Sequence, residues 1–159
     1  MRHAKSSWDN PGQSDHERPL NERGRRDAPR MGRLLEQRGL LPTLIVSSTA
    51  TRARETAKAV AHAAGYSGQI VLEPRLYHAT RGDWDAVLHG LPSDQQRVLC
   101  VGHNPGLEDL LRRWTGESIA MPTAAVAVCE LPQLPWKEMD LNSATVEAVH
   151  RPKELEEEG

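Results

Sequence analysis

Residues 43–65 read TLIVSSTATRARETAKAVAHAAG, and this stretch decides the fold. Thr43–Ser47 is a short apolar run with β-branched residues, the composition of a strand buried on both faces. Thr49–Ala64 then places Ala53, Ala57, Val60, Ala61 and Ala64 on one helical face, and Gly65 supplies the residue that ends such a helix. A strand passing straight into a helix through a Ser/Thr-rich turn points to an α/β protein.

The pattern recurs outward. Arg97–Val101 is a second apolar strand that runs through Gly102-His103-Asn104-Pro105 into a helix over Gly106–Thr115, with Pro105 suited to its first turn. Ile70–Leu72 reads as a strand, Asp83–Leu91 as a short helix bounded by Pro92, and Ala124–Leu131 and Ala144–His150 as two late strands. Residues 4–20 are polar and loop-like. A helix begins at Leu20-Asn21 with Asn21 as its N-cap, continues through Leu34, Leu35 and Arg38, and stops at Gly39. Pro29 inside it would cost about 3 kcal/mol in a regular helix interior, so a kink there or a restart near Ala28 is expected. Strands alternating with helices predict a three-layer α/β/α sandwich with a largely parallel central sheet. Ligands of such sheets bind beyond the carboxyl ends of the strands. Residues 1–152 read as a single domain and 153–159 as an acidic tail.

Composition narrows the function. The chain has 159 residues, enough for one domain with its own core. It contains no Phe, four Trp and two Tyr, so Leu, Val, Ile and Ala must build the core and no aromatic platform for stacking nucleic-acid bases is available. Net charge is −2, which argues against general nucleic-acid binding. Charge is unevenly spread: residues 1–54 carry eleven Lys and Arg against six Asp and Glu, the remainder nine against sixteen. An anion held in the first third is one reading of that excess; solvated faces are the other. Cys100 and Cys129 form no CxxC pair and no metal spacing, and are expected as reduced thiols. No apolar run approaches 18 residues and no charged-then-apolar leader is present, so a soluble, cytoplasmic protein with no membrane partner is expected.

The residues that carry chemistry fall at apparent strand ends: Arg2-His3, then Ser47–Thr56 with Arg52, then Val101–Pro105 with His103. Two arginines, two histidines and a helix N-terminus form a set suited to a phosphoryl dianion. The other histidines, His16, His62, His78, His89 and His150, show no metal-ligand spacing, and no metal or cofactor is expected. Trp84, Trp114 and Trp136 read as core or rim fillers, and Trp8 as a residue of the pocket mouth.

These motifs resemble the histidine phosphatase superfamily, and within it the SixA-like phosphohistidine phosphatases. The resemblance rests on Arg2–Trp8, on Arg18-Pro19-Leu20 followed by Gly24, on Ser47–Thr56, on Val101–Pro105 and on the Met121–Ala124 segment, in order along nearly the whole chain. It implies a metal-independent phosphatase acting through a phosphohistidine intermediate. His3 would be the nucleophile, Arg2 and Arg52 a clamp on the phosphoryl oxygens, His103 a cation on the opposite side, and Arg18 a further substrate-binding residue. The resemblance also implies a buried strand before Arg-His; the chain begins at Met1, so a truncated first strand is expected, Met1 being either an internal residue of a longer chain or the true start.

Many relatives carry a carboxylate acid after the third strand, where this sequence reads Glu73-Pro74-Arg75-Leu76-Tyr77-His78. Glu73 is the nearest candidate, Arg75 or His78 could fill the same space, and Asp9, Asp83 and Asp85 are weaker options. The short stretch between His78 and Val98 leaves no room for a large cap. It favours a protein-borne phosphohistidine, as on a phosphotransfer domain in signal transduction. A small-molecule phosphomonoesterase is the alternative enzyme, and a non-catalytic phosphate-binding or docking module the alternative outside catalysis. Nucleic-acid binding through Arg23, Arg25, Arg26, Arg30 and Arg33 would rest on charge alone.

Overall fold

The computed structural model describes residues 1–157. Three parallel strands, β1 (Leu44–Ser47), β2 (Ile70–Leu72) and β3 (Val98–Val101), lie in the order β2-β1-β3, with Ile45 opposite Ile70 and Leu99. Two later strands, β4 (Val126–Glu130) and β5 (Thr145–His150), form an antiparallel pair. Met1–His3 joins the two sheets. Arg2 bridges Gly102 in parallel, the Gly102 amide donates to the Met1 carbonyl, and the Arg2 amide donates to the Ala125 carbonyl.

Alternation along β1 explains the layers, because successive side chains leave a strand on opposite faces. Ile45, with Leu99 and Val101, packs under α1 (Glu22–Gln37) and α2 (Thr51–Ala64) among Met31, Leu35, Ala57 and Val60. Val46 packs on the other face with Trp84, Val87 and Leu88 of α3 (Arg81–His89) and Leu107 and Leu110 of α4 (Gly106–Thr115). The expected three-layer α/β architecture is what forms.

Local signals set the element ends. The Asn21 side chain accepts from the Gly24 amide at 2.9 Å and opens α1, and Gly65 at φ 74° closes α2. Thr80 and Asp83 cap α3 reciprocally, the side chain of each accepting from the other's backbone amide. Of the two outcomes expected at Pro29, the restart does not occur: α1 runs through it. Packing overrides propensity here, since Ala28, Met31, Gly32 and Leu35 around it are all buried. A Cβ at Gly32 would lie 2.6 Å from the Val60 carbonyl oxygen, so glycine lets α1 press onto α2. Gly24 does the same toward the N-terminal segment, where a Cβ would lie 2.1 Å from the Lys5 carbonyl oxygen.

The acidic tail expected over 153–159 enters a short helix, α5 (Pro152–Glu157), and its last two residues lie outside the described residues. No described helix is long and apolar enough to cross a membrane. A cleft of about 870 Å³ opens between β3 and β4, lined by Cys100, Val126, Val128, Trp114 and Trp136 among others. The polar residues singled out by sequence are not part of its lining.

Candidate functional site

The carboxyl ends of the parallel strands deliver the polar cluster. Pairing with Gly102 places His3 next to β3: its amide donates to the Gly102 carbonyl at 3.1 Å, while its own carbonyl accepts from Ala124. His103 follows β3 directly. The two rings lie 5.1 Å apart between centroids, although a hundred residues separate them in the chain. After β1, Ser48 and α2 supply the third side. Arg52 and Thr56 stand four residues apart on α2 and share a helical face, while Ser48 reaches the cluster from the turn between β1 and α2.

His3 Nδ1 lies 2.7 Å from the Ala4 carbonyl oxygen, which can only accept, so Nδ1 carries the proton and Nε2 keeps its lone pair. The backbone around it is fixed in turn: the Ala4 amide donates to Thr56 Oγ1, and that hydroxyl donates to the Arg52 carbonyl. Burial is the main force lowering the His3 pKa to about 4; the charges of Arg52, Arg2 and Arg18 add to it, against the pull of the Ala4 carbonyl. His103 is held through Nε2, 2.8 Å from Ser48 Oγ. Burial, then the neighbouring His3 and Arg52, push its pKa down to about 3. Both rings are neutral at pH 7.

Several donors around these rings have no partner. Arg2 Nη1 donates to the Met121 carbonyl at 3.1 Å, but its Nε is buried and unpaired. Arg52 likewise ties down its Nη atoms and leaves Nε buried and unpaired, and His103 Nδ1 is in the same condition. Buried donors without partners are rare and costly, about 1–3 kcal/mol each. The two arginine Nε donors, together with the unpaired His103 Nδ1, form a cradle around the two rings that an oxyanion would satisfy. Among the described residues, no group of three or more His, Cys, Asp or Glu side chains is placed to hold a metal ion.

The structure thus brings together Arg2, His3, Arg52 and His103. Arg18 stands one step back: Nε and Nη2 bind Asp15, Nη1 donates to Ser6 Oγ at 2.7 Å, and the Trp8 ring covers the guanidinium at 3.5 Å. Trp8 itself is 71% exposed at the rim. Glu73 is turned to Arg75, whose Nε and Nη2 donate to its two oxygens at 2.9 and 3.0 Å. That pairing lowers its pKa, so it is an ionised acceptor rather than a held proton. Asp83 is spent on the α3 cap and Asp85 on Arg113.

Four residues escaped the sequence reading as parts of the site: Ser48 and Thr56 as anchors, and Asp15 and Tyr77. The Tyr77 ring stands edge-on to His103, centroids 5.5 Å apart, and its hydroxyl donates to Asp15 Oδ2 at 2.6 Å. Next to it His78 takes a left-handed φ of 55°, a strained conformation for a residue with a side chain. The i, i+3 spacing of Asp15 and Arg18 was a usable signal for the first; no local pattern marked the second.

The family model of the histidine phosphatase superfamily (branch 1) matches residues 1–90. Curated relatives include an uncharacterized chloroplastic protein of Arabidopsis thaliana, 34% identical over 87% of this chain and 67% of the relative, and an uncharacterized protein of Mycobacterium tuberculosis, 32% identical over 96% of this chain and all of the relative. Among solved structures, a protein assigned as the phosphohistidine phosphatase SixA of Agrobacterium tumefaciens superposes with a TM-score of 0.81 at 30% identity, over 96% of this chain and 95% of that one. The protein histidine phosphatase SixA in complex with tungstate superposes with a TM-score of 0.84 over 98% and 96% of the two chains; at 23% identity this likeness concerns the fold.

Proposed function

The chain belongs to the histidine phosphatase superfamily, branch 1, a family of phosphatases, and from that premise we propose that it removes phosphate from phosphohistidine on a protein through a phosphorylated His3. The observation that carries this reading is the state of His3: its Nδ1 proton is fixed on Ala4 and burial keeps the ring neutral, so Nε2 is a ready nucleophile at pH 7.

In the first step His3 Nε2 forms a bond to phosphorus as the bond from phosphorus to the substrate imidazole nitrogen breaks. The substrate ring carries a proton on its other nitrogen, so the electron pair leaves with a neutral imidazole, the unmodified histidine side chain, and phospho-His3 keeps its own Nδ1 proton. Arg2 and Arg52 offer their unpaired Nε donors to the phosphoryl oxygens, and His103 Nδ1 offers a third once the dianion raises its affinity for a proton. In the second step water attacks the phosphorus of phospho-His3, inorganic phosphate departs, and Nε2 recovers its lone pair. Positioning and charge stabilisation carry most of such a transfer.

The leaving group decides the substrate class. Two carboxylates of the surrounding loops, Asp15 and Glu73, are both paired with arginine and held ionised. Neither is a proton donor poised for an alkoxide, and proton donation contributes roughly 10²–10⁴ in rate where a leaving group needs it. Imidazole needs it least. Trapping the phosphoenzyme with a phosphoramidate and locating the label by mass spectrometry tests the nucleophile. Comparing kcat/KM for phosphoramidates, aryl phosphates and alkyl phosphates tests the substrate. Activity is expected to fall in that order, and a preference for an alkyl phosphomonoester would move the assignment to a small-molecule phosphatase.

A further inference from the structure

We propose that Asp15 is a positioning residue for the phosphoryl clamp: fixed by Arg18 and Tyr77, it grips the Nη end of Arg52 and leaves the Nε side to the substrate. The inference rests on the reading of Arg52 as a phosphoryl ligand.

Three side chains from different parts of the chain converge on Asp15. Arg52 Nη1 donates to its backbone carbonyl at 2.7 Å and Arg52 Nη2 to Oδ2 at 3.1 Å. Arg18 Nε donates to Oδ1 at 3.1 Å, and the Tyr77 hydroxyl donates to Oδ2 at 2.6 Å. Arg52 therefore has two grips on one residue, one of them on a backbone oxygen. Its Nε is the donor left buried and unpaired. A guanidinium is a rigid planar fork, so holding both Nη atoms fixes the direction in which Nε points.

Arg18 explains why the grip is rigid. Its side chain is 9% exposed, and its donors are taken up by Asp15, Ser6 and the Ser7 carbonyl under the Trp8 ring. A cation so occupied cannot turn to a ligand; its charge is committed to the carboxylate. The result is an alternating series, Arg18 cation, Asp15 anion, Arg52 cation, that spans the loop after Trp8 and the first turn of α2. Tyr77 fixes the anion from the β2 side. An anion that merely lodged on two arginines in the absence of substrate would need neither the backbone grip nor the second cation behind it.

The test is a double-mutant cycle on Asp15 and Arg52, read by the affinity for inorganic phosphate and by turnover of an aryl phosphate. Asp15→Ala is expected to weaken phosphate binding and lower kcat/KM by about tenfold each, within the coupling range of groups in one network. In an Arg52→Ala background the same change is expected to cost less than about twofold. Asp15→Asn, which keeps the shape and an acceptor but loses the charge, is expected to fall between, and Tyr77→Phe to cost about threefold on the same two readouts. Thermal unfolding of each variant separates a loosened fold from a loosened clamp, and Asp15→Asn carries the test if Asp15→Ala does not fold. Tighter phosphate binding by Asp15→Ala would make Asp15 a competitor of substrate and overturn the proposal, as would equal losses with and without Arg52. The phosphate readout is independent of turnover: absence of activity in the unmodified protein would sink the assigned reaction and leave the role of Asp15 to be decided by the cycle.

Discussion

Two strand-end regions flank the same pair of histidines and are built on different terms. After β1 the chain turns once and enters α2, so Ser48 reaches the site from the turn and Arg52 and Thr56 from one face of the helix. After β2 it makes a short turn over Glu73–His78, with one residue in a left-handed conformation. The first region is regular, and residue spacing alone tells which side chains share a face. The second is irregular, and adjacent side chains part company: Glu73 turns to Arg75 while Tyr77 turns to Asp15 and His103. Regular structure carries Arg52, and the irregular loop carries Tyr77, which meets it through Asp15.

The largest effect tests what both regions serve. His3→Ala is expected to abolish phosphoenzyme formation with the fold retained, as read by mass spectrometry and circular dichroism. Label on any other residue would detach both regions from the chemistry. Arg52→Ala comes next, with a loss of about 10²–10³ in kcat/KM, the usual cost of removing one preorganised donor at developing charge. Arg54→Ala on the same helix is expected to cost less than about threefold, because its Nη2 donates to Thr51 and helical geometry turns it away from Arg52. Equal losses would show that the face has been misassigned.

The shared histidines also set a pH dependence of stability. Their folded pKa values, about 4 for His3 and about 3 for His103, lie below the ordinary 6.5 because burial disfavours the charged ring. The unfolded chain therefore takes up protons first as pH falls. Stability from His3 is full above pH 6.5, is lost on descent toward pH 4 and levels off below, at up to about 1.4 kcal/mol per pH unit. Thermal unfolding of wild type and His3→Gln across pH 4–7 measures it, and a variant as acid-sensitive as wild type would show that His3 is not the buried neutral base.

The smallest effect is expected in the loop after β2. Glu73→Gln should leave aryl and phosphoramidate turnover within about twofold, since a partly exposed ion pair with Arg75 contributes little. A selective loss with alkyl phosphates would make Glu73 a proton donor and erase the contrast between the two regions.

Much of the molecule could be read in the sequence. The apolar run at 44–47, the alanine face of α2, the Asn21 cap and the glycine stops are local signals, and each produced its element within a residue or two. Arg52 and His103 were visible because they sit in the first turn of α2 and just past β3, where backbone geometry dictates direction; Arg2 and His3, tied to Gly102 by an isolated bridge outside any strand, were visible through the Arg-His motif of the resemblance. Pro29 forces no restart because propensity is a few kcal/mol per residue at most, and α1 is held along its length by a buried face against α2.

What the sequence by itself determined is the set of elements, their order and the residues their regular backbones project toward the strand ends. Only the tertiary structure decided which polar groups meet across that space. It bound Arg18 to Asp15, paired Glu73 with Arg75, and brought Tyr77 to a residue 62 positions away. The physical reason is that a periodic backbone fixes direction from local dihedrals alone. A side chain in an irregular loop takes its direction from the partners that satisfy its charge, and those partners come together only when the chain has folded.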